Sequence, residues 1–315
     1  MIDLRTLLAL ACTIVLWAAA FVGIRAGLAG YGPAHLALLR FLIASLALGA
    51  YAIATRMRLP RQRDLPGIAL AGLIGITLYN LALNAGERSV SAGAASLLVN
   101  TAPIWTATLA TAFLGERLRV WGWLGMSLSF AGAATIALGE REGLGLSWGA
   151  GLVLIAALAQ SVYFVIQKPL LATYRPVEFA TYAIWAGTLG LLPFAPGLAG
   201  AISAAPIDAT LAVAFLGIGP AALAYATWAA VLARVPAARA ASMHYLVPGI
   251  AILIGWIWLG EEPRPLSLLG GAIAIAGVVI VTKLGRARTG AGGGNPEGAS
   301  LIQFVIHSLA CRPRK

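Results

Sequence analysis

Apolar residues in this chain form long continuous runs, rich in Leu, Ala, Ile and Val, which short polar or charged segments separate. A helix that spans a bilayer needs roughly 20 apolar residues, whereas a β-barrel shows shorter segments of alternating polarity. The pattern therefore predicts an all-α polytopic membrane protein. The ten runs lie at 6–28, 33–54, 66–86, 92–114, 120–138, 148–169, 177–197, 210–232, 238–260 and 266–284.

Two parts of this apolar sequence repeat the same proline and glycine pattern, 145 positions apart. Proline and glycine are the costliest residues inside helices, so their recurrence at fixed spacing indicates a duplication. Weaker matches upstream pair Tyr79 with Tyr225 and Arg25 with Lys168. The strongest equivalent pairs are Pro103 and Pro248, Leu114-Gly115-Glu116 and Leu259-Gly260-Glu261, Gly125 and Gly270, and Gly132 and Gly277.

Each copy contains five runs, and this odd number fixes how the copies are related in the membrane. The second copy must enter the bilayer from the opposite side, so a pseudo-twofold axis in the membrane plane relates the two halves. The predicted fold is ten transmembrane helices in a 5+5 inverted repeat around a central cavity. We divide the chain into a first repeat at 1–140, a second, inverted repeat at 141–285 and a Gly-rich cytoplasmic tail with a short apolar segment at 286–315.

The net charge of +11 has two interpretations, a nucleic-acid partner or the enrichment of positive residues on the cytoplasmic side of a membrane. With a cytoplasmic N-terminus, 17 of the 22 Lys and Arg residues fall in cytoplasmic segments and 4 fall outside. This bias predicts that both termini are cytoplasmic, and it explains the charge without nucleic acid. The partners that we expect are the lipid bilayer and a small-molecule substrate, and a monomer is consistent with the pattern.

The sequence contains none of the common nucleophile, zinc or phosphate-loop motifs, so we expect neither an enzyme nor a bound metal or cofactor. Prolines inside the runs are more informative, because each removes a backbone hydrogen bond that the protein must replace. Broken helices at matched depths are typical of transporter binding sites, although a packing kink is the alternative. The predicted hinge residues are Pro103, Gly219, Pro220 and Pro248.

Uncharged polar and aromatic residues cluster at the same depth in several runs. Such groups are costly toward lipid, so we expect them to face a shared interior, either as substrate contacts or as interhelical hydrogen bonds. The candidate substrate-binding residues are Trp17, Tyr79, Asn80, Asn100, Gln160, Tyr163, Ser242 and His244.

Charged residues within the runs are few. Arg40 lies about two turns into the second run, where it can extend outward to the interface, bind a substrate carboxylate or pair internally. No Asp or Glu occupies the centre of a run, and Glu116 and Glu261 stand where each can stabilise the N-terminus of the next helix. Proton-coupled carriers usually bury a carboxylate or a histidine. Only His244 lies near the midplane, so obligatory proton coupling has little support in the sequence.

The residues that identify a family are Trp17, Phe21, Arg40-Phe41, Tyr79, Pro103, Leu114-Gly115-Glu116, Gly132, Pro248, Leu259-Gly260-Glu261 and Gly277. In order and spacing they resemble the drug/metabolite transporter superfamily, and specifically its EamA-type exporters, over residues 6–284. The resemblance implies a 5+5 inverted repeat whose cavity is lined mainly by the first, third, fourth, sixth, eighth and ninth runs. It also implies export of small metabolites, often amino acids, from the bacterial cytoplasm.

We therefore predict an alternating-access exporter of small neutral or zwitterionic metabolites in a bacterial inner membrane, with amino acids as the leading substrate class. Amides, phenols, indoles and one imidazole suit amphipathic solutes better than multiply charged ones. A drug or toxin effluxer is the alternative within transport, although cationic drugs usually call for a buried carboxylate. A non-transporting membrane scaffold and an intramembrane enzyme are the competitors from other classes.

Overall fold

The computed structural model describes residues 3–89, 95, 98–139, 148–250 and 265–285, and all regular elements in these ranges are helices. Six of the described helices are long and apolar enough to cross a bilayer. This confirms the predicted all-α, polytopic class. The motif Leu259-Gly260-Glu261 and the tail at 286–315 lie outside the described residues.

Most of the described helices begin and end close to the boundaries of the apolar runs. The described helices are α1 Leu4–Leu28, α2 Pro33–Ala54, α3 Gln62–Gly86, α4 Ala102–Leu114, α5 Val120–Gly139, α6 Trp148–Leu170, α7 Pro176–Phe194, α8 Leu198–Ala204, α9 Ile207–Arg234, α10 Ala237–Ser242 and α11 Pro265–Lys283. The exceptions are α4, which begins well inside the fourth run, α10, which covers only the start of the ninth, and a short helix between the seventh and eighth runs.

Local sequence signals explain where several helices start and stop. The Asp3 carboxylate accepts a hydrogen bond from the backbone N–H of Thr6 at 3.1 Å and so caps α1. Pro33 and Pro176 occupy the first turns of α2 and α7, where a missing N–H costs nothing. Gly115, with φ of 66°, ends α4 in the left-handed conformation that glycine adopts without strain.

Two helices contain a π-helical segment near their middle, at Leu73–Leu78 in α3 and Gly217–Leu223 in α9. A π segment disturbs the normal ladder of backbone hydrogen bonds and frees carbonyl groups. Side chains from elsewhere in the chain bind two of these carbonyls. The Trp17 indole N–H donates to the carbonyl of Pro220 at 3.2 Å, and the Tyr225 hydroxyl donates to the carbonyl of Gly75 at 3.4 Å.

The repeated prolines lie beside interruptions of regular helix. A turn at Asn100 and Thr101 precedes α4, which begins at Ala102, so Pro103 occupies the first turn of a helix rather than its interior. Proline fits this place because first-turn N–H groups have no intrahelical acceptor. Pro248 follows a 3₁₀ segment at Met243–Leu246, which continues α10.

Helices that correspond to each other in the predicted repeat pack together. Helix α2 packs on α7, α4 on α10, and α5 on α11. Helix α1 packs on α9, and α3 packs on α6. These contacts bury the centre of the molecule and position the residues of the candidate site.

Glu116 binds a helix N-terminus, but not that of the helix that follows it. Its two carboxylate oxygens accept hydrogen bonds from the backbone N–H groups of Ala237 and Ala238, at 2.7 and 3.0 Å. These donors belong to the first turn of α10, where a negative charge is favourable. Nearby, the Lys168 ammonium donates to the carbonyls of Leu232 and Val235. The turn between α9 and α10 is therefore held from both sides.

The repeated glycines mark a close helix contact, between α5 and α11. A Cβ atom built on Gly125 would lie 2.8 Å from the carbonyl oxygen of Gly277, and one on Gly132 would lie 2.6 Å from that of Gly270. Real Cβ atoms do not approach backbone oxygens so closely, so only glycine allows this separation. In a bilayer, where helices associate through packing, small residues at the contact permit close approach.

Gly277→Ala should destabilise the protein, because its new methyl group would lie 2.5 Å from the Gly125 carbonyl oxygen. We expect a loss of about 1–3 kcal/mol in the free energy of unfolding, measured by denaturant titration in detergent micelles. The matched control is Gly271→Ala on the same helix, where nothing lies within 4 Å of the added atom. Equal stability of the two variants would contradict this packing.

Candidate functional site

A cavity lies among α1, α2, α3, α6, α9, the segment that precedes α4 and the segment that follows α10. It extends from the middle of α1, at Trp17, toward the end of that helix, and along α3 from Tyr79 to Leu83. The lining residues are Trp17, Ala20, Phe21, Ile24, Arg40, Tyr79, Leu83, Val99, Asn100, Gln160, Tyr225, His244 and Val247.

The structure brings most of the predicted contact residues together at this cavity, although they come from six parts of the chain. Tyr225 and the apolar members of the wall were not among the predicted site residues, and little in the sequence distinguishes an apolar cavity wall from core. The predicted residues that line the cavity are Trp17, Arg40, Tyr79, Asn100, Gln160 and His244.

Three predicted contact residues stand behind the wall instead. Asn80 is fully buried and does not line the cavity, and Tyr163 packs closely against Gly75 of the π segment. The Ser242 hydroxyl donates to the carbonyl of Arg239 at 2.9 Å. In this conformation these side chains support the wall, and their contact with substrate stays a prediction.

The predicted hinge residues also have defined places. Pro103 begins α4, Gly219 and Pro220 lie in the π segment of α9, and Pro248 follows the 3₁₀ segment beyond α10. All three prolines are buried. Pro220 touches the site directly, since its carbonyl oxygen accepts the hydrogen bond from Trp17.

Trp17 is the centre of an aromatic cluster at the inner end of the cavity. Its ring centroid lies 5.0 Å from that of His244, 5.6 Å from that of Trp228, 5.7 Å from that of Tyr225 and 6.5 Å from that of Phe164. Because its indole N–H is bound to a backbone carbonyl, the ring is fixed in orientation. Large rigid rings of this kind present apolar area at little entropic cost.

Two polar side chains of the cavity wall contain buried atoms that have no hydrogen-bond partner among the described residues. Neither imidazole nitrogen of His244 has a hydrogen-bond partner among the described residues, and the Gln160 side-chain oxygen has none either. Buried polar groups are normally paired, and a water or ligand in the cavity is the available partner. Among the described residues, no group of His, Cys, Asp and Glu is arranged to hold a metal ion.

Arg40 is 3% exposed and has an internal partner. Its Nη1 donates to the Asn80 side-chain oxygen at 3.2 Å, while the Asn80 amide nitrogen donates to the carbonyl of Ile76 at 2.8 Å. The guanidinium carbon lies 5.3 Å from the centroid of the Phe41 ring. The alternative that Arg40 extends outward to the interface is therefore wrong. Its Nε has no partner, so the group retains donor capacity at the cavity.

Glu87 is a charged residue that lies between the third and fourth apolar runs. It follows the last residue of α3, and its side chain is 9% exposed. Neither carboxylate oxygen has a hydrogen-bond partner among the described residues. A signal was present in the sequence, because Tyr79, Leu83 and Glu87 recur every four residues and so share one helix face.

Comparison with known proteins gives the family. The model of the EamA-like transporter family matches residues 4–138 and again residues 147–283. A solved crystal structure of a protein superimposes with a TM-score of 0.73 at 21% identity, covering 89% of this chain and 97% of the other, and this likeness supports the fold. The chain is a member of the EamA-like transporter family, which confirms the resemblance.

Relatives with similar sequences are transporters by name. The chain is 45% identical to the uncharacterized transporter YdfC of Bacillus subtilis, over 84% of this chain and 86% of YdfC. It is also 45% identical to a probable terminal-alkyne amino-acid exporter of Streptantibioticus cattleyicolor, over 89% of this chain and 95% of that protein. The inner membrane transporter YedA of Escherichia coli, itself uncharacterized, is 28% identical over 85% of this chain and 87% of its own length. These names point away from enzymatic activity.

Asn80→Ala should destabilise the protein by about 1–3 kcal/mol, because it leaves the buried Arg40 guanidinium without its partner. In an Arg40→Met background the same change should cost much less, so a double-mutant cycle on unfolding in detergent should show coupling. Asn84→Ala is the matched control. Asn84 is also buried on α3, but it donates to the backbone carbonyl of Pro33, so its cost should add to that of Arg40→Met.

Proposed function

We propose that this protein exports small neutral or zwitterionic metabolites, with amino acids as the leading class, by alternating access. The observation that carries the proposal is a cavity whose wall combines fixed aromatic rings with unpartnered polar atoms of Gln160 and His244. Such a wall suits a solute with both apolar and polar parts. The name of the Streptantibioticus relative, a probable amino-acid exporter, supports the same class.

Within this proposal, the remaining donors of Arg40 bind a carboxylate group of the substrate. Guanidinium groups bind carboxylates with strong, charge-assisted hydrogen bonds, and burial strengthens them. Asn80 fixes one end of the guanidinium and leaves the rest directed at the cavity. The side chain would then hold the part of an amino acid that all members of the class share.

The proposed mechanism rests on two five-helix halves, 1–140 and 141–285, related by inversion, with the tail at 286–315 outside both. Three observations support this division. The family model matches each half separately, π segments occur in the third and eighth runs, and the contacts α1–α9 and α3–α6 are equivalent under such a relation. The points of flexure would be Pro103, Gly219, Pro220 and Pro248, because regular backbone hydrogen bonding is interrupted beside them.

The proposed location is a bacterial inner membrane, with both termini in the cytoplasm, as the distribution of Lys and Arg indicates. In that orientation the cavity lies in the outer half of the bilayer. The cytoplasmic half is closed by contacts such as Thr13 with Thr227, at 2.8 Å, and by the hydrogen bonds of Glu116 and Lys168 to the α9–α10 turn. Lipid and a small solute are the proposed partners, with no nucleic acid, and a monomer is consistent with this arrangement.

A drug effluxer is the competing function within the family, and efflux from proteoliposomes separates the two. Purified protein is reconstituted with a panel of labelled amino acids inside, and their release is followed with and without a proton gradient. We expect release of at least one amino acid above protein-free liposomes. Release of cationic dyes but of no amino acid would favour the effluxer and contradict the proposed substrate class.

Gln160→Ala and His244→Ala should each weaken binding of the transported amino acid, because each removes a polar group at the cavity. Loss of one hydrogen bond of about 1.4 kcal/mol corresponds to a tenfold rise in the half-saturating concentration. The control is Thr108→Ala, an exposed position on α4 whose hydroxyl donates only to its own helix. A control that loses as much affinity as the cavity variants would place the site elsewhere.

A further inference from the structure

Glu87 is a buried carboxylate that the proposed function does not use. Both of its oxygens are shielded from solvent, and neither has a hydrogen-bond partner among the described residues. Burying an unpaired carboxylate is costly, so proteins rarely keep one without a proton, a metal or a positively charged ligand. The burial of the Glu87 carboxylate therefore raises the question of which of these it binds.

The position of Glu87 connects it to the cavity. Tyr79 and Leu83, one and two turns earlier on the same face of α3, both line the cavity wall. Glu87 is the next position along this face, just after the last residue of α3, and it is not itself among the residues that line the cavity. Its carboxylate is closed off in this conformation, so contact with a solute belongs to a conformation in which the cavity is wider along this face.

The charged groups around Glu87 come from two other helices. Arg40 on α2 and the exposed Arg25 on α1 are its positive neighbours. Neither forms an ion pair with it within 4.0 Å, since Arg63–Asp64 is the salt bridge found among the described residues. Helix α6 packs on α3 at Gly86 through Gly149 and Val153, which carry no charge. The remaining titratable groups near this set are the Tyr79 and Tyr225 phenols, and Arg88 is exposed.

We propose that Arg40 and Glu87 together bind a zwitterion, with the solute carboxylate at Arg40 and the ammonium group at Glu87, and that a proton on Glu87 competes with this ammonium group. Opposite charges that are held apart in a poorly hydrated site match a dipolar solute. An α-amino acid supplies both charges, on two groups attached to the same carbon atom. This inference rests on the proposed function, and it names the feature by which the site would tell an amino acid from a simple acid or amine.

The acid–base state of Glu87 makes the binding depend on pH. Burial raises the pKa of the Glu87 carboxyl to about 8, although Arg40 and Arg25 oppose the shift. Below this pH the empty site holds a proton, which the ammonium group must displace, so affinity should fall toward acid pH. Exchange of one proton for one amino acid at a single carboxylate is also the arrangement by which an inward proton gradient drives export.

The test measures binding to the purified full-length protein between pH 6 and pH 9. The probes are leucine, phenylalanine and serine, each beside its deaminated and its decarboxylated analogue. For at least one amino acid we expect tenfold or greater preference over both analogues at pH 8, and affinity that falls up to tenfold per pH unit below pH 8. Glu87→Gln should abolish the preference over the deaminated analogue and flatten the pH profile. Asp208→Asn, an exposed carboxylate in the first turn of α9, is the control and should change neither.

The outcomes separate this inference from the proposed function. If wild-type liposomes release amino acids but Glu87→Gln keeps both the preference and the pH profile, the zwitterion site is wrong and the export function stands. If wild-type protein releases no amino acid, the proposed export function is wrong, and so is the inference that rests on it. If Glu87→Gln does not fold, the wild-type data decide. Equal affinity for an amino acid and its deaminated analogue, or a flat pH profile, would overturn the inference.

Discussion

The structure depends on one constraint, that backbone polar groups inside a bilayer must find their hydrogen-bond partners within the protein. Regular helices meet this constraint. The π segments of α3 and α9 interrupt the regular pattern, so their free carbonyl groups need other partners. Each π segment leaves a carbonyl that a distant aromatic side chain binds, Trp17 to Pro220 and Tyr225 to Gly75. Trp17 and Tyr225 thus provide hydrogen bonds that the π segments lack. The same two residues also line the cavity.

Two kinds of chemistry meet in the cavity. Its inner end is aromatic and rigid, since Trp17 contacts four rings and is fixed by a hydrogen bond. Its wall also contains the charged Arg40, which Asn80 partly satisfies, and the buried Glu87 without a partner follows the same face of α3. Charged groups in a membrane interior are costly and usually functional. A solute with an apolar part and a dipolar part fits this division better than a solute that is apolar throughout or charged throughout.

Sequence reasoning was strongest where the membrane imposes length and composition. Long apolar runs predicted most of the helices, and the polar and aromatic residues in them identified six of the thirteen residues of the cavity wall. It was weaker for the direction in which a side chain points and for the position of a residue within its helix. Asn80 and Tyr79 are adjacent in sequence, yet Asn80 supports Arg40 from behind while Tyr79 lines the cavity. Pro103, expected inside a helix, begins one, because a turn at Thr101 separates it from the residues before.

The sequence by itself determined the membrane class, the approximate helices and the duplicated pattern, because bilayer thickness and the cost of proline and glycine act locally along the chain. Only the tertiary structure decided that Gly132 and Gly277 lie where α5 and α11 touch, that Glu116 caps α10, and that Glu87 is buried. These outcomes depend on which helices meet and at what rotation. Packing between residues more than a hundred positions apart sets that rotation, and no local pattern contains it.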